Sequence, residues 1–165
     1  MSDLEITALV LSEHEAFRRE FAGLEGHEGD LLQAWAALGA RLEVHAVAEE
    51  RLFYPVLAQQ ADDGVAEGER AVHDHNAIRH AAAAVDEHEV GSPGWWDAVR
   101  QAQDVNAEHM AEEERDFIPD FTAAVDADER GELGLRWLQL HDEHEGGAGL
   151  SGEDADPAEV VGGAG

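Results

Sequence analysis

Six residues of the 165-residue chain have the types and spacing of metal ligands: His14, His45 with Glu49, His75, and His109 with Glu113. Both His-x-x-x-Glu pairs open a stretch that the chain spells twice, HAVAEERLFYP from His45 to Pro55 and HMAEEERDFIP from His109 to Pro119. The single histidines repeat as well, in HEAFR from His14 and HNAIR from His75. Residues four apart on a helix differ by about 40° around its axis, so each paired histidine projects with its glutamate. If four such helices meet, four imidazoles and two carboxylates converge at one level. Buried carboxylates need a proton, a hydrogen-bonding partner or a cation. No arginine falls on the apolar stripes that carry these residues, and the chain has no lysine.

One buried histidine is most simply a hydrogen-bonded core residue, and two private pairs, His45 with Glu49 and His109 with Glu113, would be the bland account of these. Six polar residues in register, duplicated about an approximate two-fold, favour metal instead. Imidazole suits zinc, copper, iron and nickel, whereas bridging carboxylates suit iron or manganese. Paired half-sites indicate two ions, with Glu49 and Glu113 spanning them and the four histidines outside. A mononuclear site with four histidines and one glutamate is the alternative. Either arrangement leaves coordination positions where a small molecule would bind.

Long Ala-, Leu-, Glu- and Arg-rich stretches between a few Gly and Pro breaks predict the helices that position these groups, at about 3–24, 30–60, 65–89 and 93–124. A shorter fifth helix is expected at about 127–145, with Leu133, Trp137 and Leu140 on one side. The second helix shows the clearest core stripe: Leu31, Trp35, Leu38, Leu42, His45, Glu49, Leu52 and Val56 advance by alternating fours and threes. Short connections between comparable helices predict an all-α, antiparallel up-down-up-down four-helix bundle with a short additional C-terminal helix. We expect one domain over 1–145 and an acidic, Gly-rich tail without structure over 146–165.

With 38 acidic residues, 10 basic ones and a net charge of -28, the chain would repel phosphate backbones, so neither nucleic acid nor a membrane surface is an expected partner. The absence of cysteine removes disulfides and thiol chemistry. The N-terminal residues resemble neither a signal peptide nor a membrane span, and a cytoplasmic protein is expected.

Over about residues 5–124 the chain resembles the hemerythrin-like family, or HHE cation-binding domains. The resemblance rests on His14, His45-x-x-x-Glu49, His75 and His109-x-x-x-Glu113, in that order and each on its own helix. It implies a four-helix bundle around two non-heme iron ions with an oxo or hydroxo bridge; manganese is the less favoured metal. It also implies dioxygen, hydrogen peroxide or nitric oxide as the small-molecule partner. Oxygen carriers of the family have a second histidine four residues along the third helix and His-x-x-x-x-Asp on the fourth. Here those places hold Arg79 and Glu113. The departures point away from reversible oxygen carriage and toward members linked to peroxide, nitric oxide or oxygen chemistry and iron sensing. A di-iron protein that handles a small oxygen species is therefore expected, with catalase- or peroxidase-like activity as one form of that chemistry, and a non-catalytic module that binds, stores or senses oxygen, nitric oxide or iron is the alternative.

Around the six ligands, Glu50, Glu114, Asn106 and Asp116 are candidate supporting groups, with ordinary solvated ion pairs the simpler account of the two glutamates. His73 and His80 lie about 160° and 140° from His75 around the helix and are weak candidates for extra ligands. Tyr54, about 140° from Glu49 on an α-helix, is expected to pack or face solvent. His27, His88, His141 and His144 read as surface histidines. Pro55 and Pro119 are expected to bend or end their helices just beyond the site.

Overall fold

The computed structural model describes residues 3–163 and is all-helical among them. The bundle is built from α1 (Ile6–Gly23), α2 (Leu31–Ala48) running on into α3 (Tyr54–Gln60), α4 (Gly64–Val85), and α5 (Pro93–Glu112) running on into α6 (Ile118–Ala124). α7 (Ala127–Glu143) and the short α8 (Pro157–Gly162) follow. Side chains cap the N-termini where the sequence turns polar. Asp30 accepts from the Gln33 amide at 3.1 Å, Ser92 from Trp95 at 3.2 Å and Asp126 from Glu129 at 2.9 Å. No helix among the described residues is long and apolar enough to cross a membrane.

Both long rods contain one π-helical turn, Glu49–Phe53 and Glu113–Phe117, each starting at a ligand glutamate. The Tyr54 N–H donates to the Glu49 carbonyl and the Ile118 N–H to the Glu113 carbonyl, five residues back in each case. Pro55 and Pro119 come next. Proline has no N–H for the carbonyl four residues earlier, and the wider turn absorbs that loss. The prolines therefore do not end the rods at once, and the helices continue to Gln60 and Ala124.

Two apolar clusters fill the bundle, and the polar level lies between them. One contains Ile6, Val10, Phe53, Leu57, Phe117 and Phe121, and the other Phe17, Phe21, Trp35, Leu42, Trp95 and Val99. This segregation follows from the stripes, which are apolar above and below each histidine.

The tail departs from expectation. Although residues 146–163 are poor in large apolar side chains, α8 packs against α3 and α4, with Val160 against the core. The glycine at 68 makes room: a Cβ there would stand 2.7 Å from Val161 Cγ1 and 3.6 Å from Tyr54 Cβ. Asn76 clamps the preceding strap with two hydrogen bonds, donating to the Ala155 carbonyl at 2.8 Å and accepting from its amide at 3.0 Å. A few apolar anchors and one reciprocal amide pair thus order a segment whose composition suggested none. Residues 164–165 of the expected tail lie outside the described residues.

Candidate metal centre

Each of the six expected ligands lies in the core, none more than 5% exposed. α1 supplies His14, α2 His45, α4 His75 and α5 His109, while Glu49 and Glu113 open the two π turns. Their donor atoms form two groups that each lie within 4.8 Å: His14, His45, Glu49 and Glu113 in one, and Glu49, His75 and His109 in the other. The Nε2 atoms face inward. His45 Nε2 is 2.9 Å from Glu49 Oε1 and His109 Nε2 is 3.1 Å from Glu113 Oε1. His14 Nε2 lies 3.3 Å from Glu113 Oε1, and His75 Nε2 lies 3.4 Å from Glu49 Oε1.

The outward Nδ1 atoms all meet carboxylates. His45 donates to Glu13 at 3.2 Å, His109 to Asp74 at 3.1 Å, His14 to Glu114 at 3.3 Å and His75 to Glu50 at 2.9 Å. An Nδ1 proton given outward leaves the Nε2 lone pair pointing into the centre. Arg18 in turn holds Glu114, and Arg79 holds Glu50 at 3.0 Å and Glu43 at 3.0 Å. Arg79, at the place of the carriers' extra histidine, therefore orients an acid that orients His75. In the metal-free chain burial pushes the His109 imidazole down, but the carboxylates of Glu113 and Asp74 outweigh it and hold it up at about 10. Burial likewise raises the Glu113 carboxyl, yet the imidazoles, His109 above all, hold it well below the usual range. Binding of a metal at His109 would therefore release a proton.

Glu50 and Glu114 do touch ligand histidines. Asp116 does not reach the centre. It pairs with Arg115 at 2.9 Å on the surface, because the π turn through Glu113–Phe117 carries it off the inward stripe and brings Phe117 in. Asn106 is buried beside the site, its amide donating to Met110 Sδ at 3.7 Å. His73 is exposed, and His80 pairs with Asp154 at 2.9 Å on the surface, so neither joins the cluster.

Sequence reasoning misplaced two residues and missed two more. Tyr54 is fully buried, and its hydroxyl donates to Glu113 Oε2 at 2.9 Å while lying 3.0 Å from His75 Nε2 and 3.3 Å from His109 Nε2. The expected 140° holds for an α-helix; across a π turn the fifth residue comes round above the first. His141 is no free surface histidine, since its Nε2 lies 3.0 Å from Glu13 Oε1. Glu13 and Asp74, the acids that hold His45 and His109, went unnoticed. Their signal was present, for each directly precedes one of the repeated single histidines.

The residues fit a metal by what they leave unsatisfied. Among the described residues, six buried side-chain atoms make no well-directed hydrogen bond, and five of them are His14 Nε2, His45 Nε2, both Glu49 oxygens and Glu113 Oε1, although His45 Nε2 stands 2.9 Å from Glu49 Oε1 and His14 Nε2 3.3 Å from Glu113 Oε1. Leaving such groups unpaired in a core is costly, and a cation between them satisfies all five. The chain matches the hemerythrin HHE cation binding domain over residues 5–121. It belongs to that family. Neither a curated protein nor a solved structure gives a significant match to the chain. Within this hemerythrin HHE domain, buried His/Glu clusters bring ligand atoms close enough together to hold a cation; α7 and α8 lie beyond the matched residues.

Proposed function

We propose that this hemerythrin-like protein holds two iron ions and handles a small oxygen species, dioxygen, hydrogen peroxide or nitric oxide, beside them. The supporting observation is that three of the four candidate ligand histidines, His45, His75 and His109, line a cavity of about 40 Å³ together with Asn106, Ile78 and Arg79. That space has room for a molecule of a few atoms, the size of dioxygen, peroxide or nitric oxide. The donor set of imidazoles and shared carboxylates suits iron, with manganese the runner-up.

Iron at this place would supply one-electron chemistry and open coordination positions, and the chain's own residues do the rest. His14 and His45 would hold one ion and His75 and His109 the other, with Glu49 and Glu113 between. The four acids on Nδ1 keep every imidazole in the binding tautomer. Tyr54 keeps a proton on its hydroxyl in the metal-free chain, because burial and the charge of Glu113 and Glu49 push the phenol well above its ordinary value. Inside the triangle of His75, His109 and Glu113, that oxygen is placed to serve as a further donor to an ion or to hold a proton for a bound small molecule. Asn106 and Arg79 give the cavity its polar wall, and Ile78 and Leu42 its apolar one.

Elemental analysis of protein isolated without added metal tests the reading, with optical spectra taken before and after oxygen and peroxide. Two ions per chain and a spectrum that both reagents alter are expected, with both lost or halved in His45→Ala. Peroxide consumption would make the protein an enzyme. A reversible change without product would make it a binding or sensing module, and metal-free protein of unchanged thermal stability would end the proposal.

A further inference from the structure

The acids that hold His45 and His109 have matching roles and unequal surroundings. Asp74, on His109, has a side chain 37% exposed and, among the described residues, no other partner. Glu13, on His45, is covered by α7. Trp137 Nε1 donates to Glu13 Oε2 at 2.6 Å and His141 Nε2 donates to Glu13 Oε1 at 3.0 Å. His141 Nδ1 lies 2.8 Å from the Trp137 carbonyl, so both ring nitrogens face acceptors and both carry protons. The Trp137 indole stands edge-on to the His45 ring, 5.5 Å between centroids, and stacks on His141 at 5.0 Å. Glu13 therefore receives three N–H groups, from His45, Trp137 and His141, and has one orientation that serves them all.

α7 reaches this place because its glycine at 134 allows close approach to the residues just before α1, where a Cβ would stand 1.8 Å from the Leu4 carbonyl oxygen. Arg130 ties the start of α7 to Glu5 at 3.1 Å. Among the described residues the second hairpin has no equivalent helix over Asp74, and α7 (Ala127–Glu143) lies beyond the residues matched to the family.

We infer that α7 is a positioning element for one metal position only: Trp137 and His141 fix Glu13, Glu13 fixes the His45 ring, and the ion held by His14 and His45 leaves more slowly than its neighbour. This inference rests on the two-ion reading above. Trp137 and His141 contribute no donor atom to the metal; they act through Glu13. Losing such an outer partner typically costs 10–100-fold in metal affinity, and here the cost falls on one ion of the pair.

The test follows release of ferrous iron, loaded without air, to a coloured chelator. Wild type should show a fast and a slow phase, His45→Ala losing the slow one and His75→Ala the fast one. Trp137→Phe, which keeps an aromatic ring and removes the N–H, and His141→Ala should each speed the slow phase roughly tenfold and leave the fast phase alone. His141→Gln, which retains an N–H donor, should restore most of the difference, and Asp74→Ala should speed the fast phase only. Equal acceleration of both phases by Trp137→Phe, as general loosening would give, overturns the inference, and so does no change in either. A wild-type chain that retains no iron overturns the two-ion reading itself, a result distinct from either of these.

Discussion

The two hairpins of this bundle are alike where they would touch metal and unlike one residue away. His14 and His75, His45 and His109, and Glu49 and Glu113 are exchanged by the repeat, and so are the outer pairs Arg18 with Glu114 and Arg79 with Glu50. Beside that frame, Tyr54 of the first copy is Ile118 in the second, Ile6 of the first is Glu67 in the second, and only Glu13 is gripped by α7. Duplication accounts for a pair of ligand sets, and the departures make their surroundings different. The half with His14 and His45 leaves its ligand atoms unpaired, whereas in the half with His75 and His109 a phenol hydroxyl stands among them.

The largest effects should come from breaking the shared part of the frame. Glu49 belongs to both ligand groups and His75 to one. Glu49→Ala should abolish binding of both ions, a loss beyond the roughly 10–100-fold that removal of an outer partner costs. His75→Ala should remove one ion and keep the other. Metal-to-protein ratios after desalting read this directly, and if Glu49→Ala retained one full equivalent, the carboxylate would not be shared.

A smaller effect separates Tyr54 from Ile118. Tyr54→Phe removes the hydroxyl from Glu113, His75 and His109 and should destabilise the metal-free chain by about 1–3 kcal/mol, since it strands buried polar atoms. It should also weaken binding of the ion at the His75 side. Ile118→Val, at the matching place, should cost about 0.5–1.5 kcal/mol by lost packing and leave metal content alone. Thermal melts with and without iron measure both. Should the two variants behave alike with iron, the phenol would be a packing group and the halves equivalent in this respect.

The shared burial of the four histidines and two glutamates was legible in the sequence because their spacing is periodic. Histidine and glutamate at four-residue spacing on four amphipathic stretches specify a face, and the repeat specifies that faces are paired. What was not legible depended on local breaks in that periodicity. The π turns move Tyr54 in and Asp116 out, and nothing in a 100° wheel announces them; the prolines that follow were the available hint. The contact of α7 with Glu13 arises from packing between segments more than 120 positions apart, as Trp137 on Glu13 shows. The tail was misjudged because composition measures apolar content and not a side-chain amide such as Asn76, placed to hold the backbone.

The smallest predicted effect concerns the Ile6 and Glu67 pair and has a pH signature. Both residues are buried, 0% and 4% exposed, and Glu67 Oε2 has no hydrogen-bond partner. Burial first, then the neighbouring Asp120 and Asp63, push the Glu67 carboxyl up from 4.5 to about 7, with Arg70 opposing. The raised value means that the folded chain prefers the protonated acid. Below pH 4.5 the folded and unfolded forms are both protonated, and the residue costs nothing. As pH climbs toward 7 the unfolded form releases its proton while the folded form keeps it, so stability falls and then stays lower. Glu67→Gln is neutral throughout, so it should raise the melting temperature by about 3 °C at pH 8 and change it little at pH 4.5. Equal shifts at both pH values would mean that Glu67 is ionised and solvated like an ordinary surface acid. The contrast with Ile6 would then be one of side-chain packing alone, and the metal level would be the only place in the bundle where buried acid demands compensation.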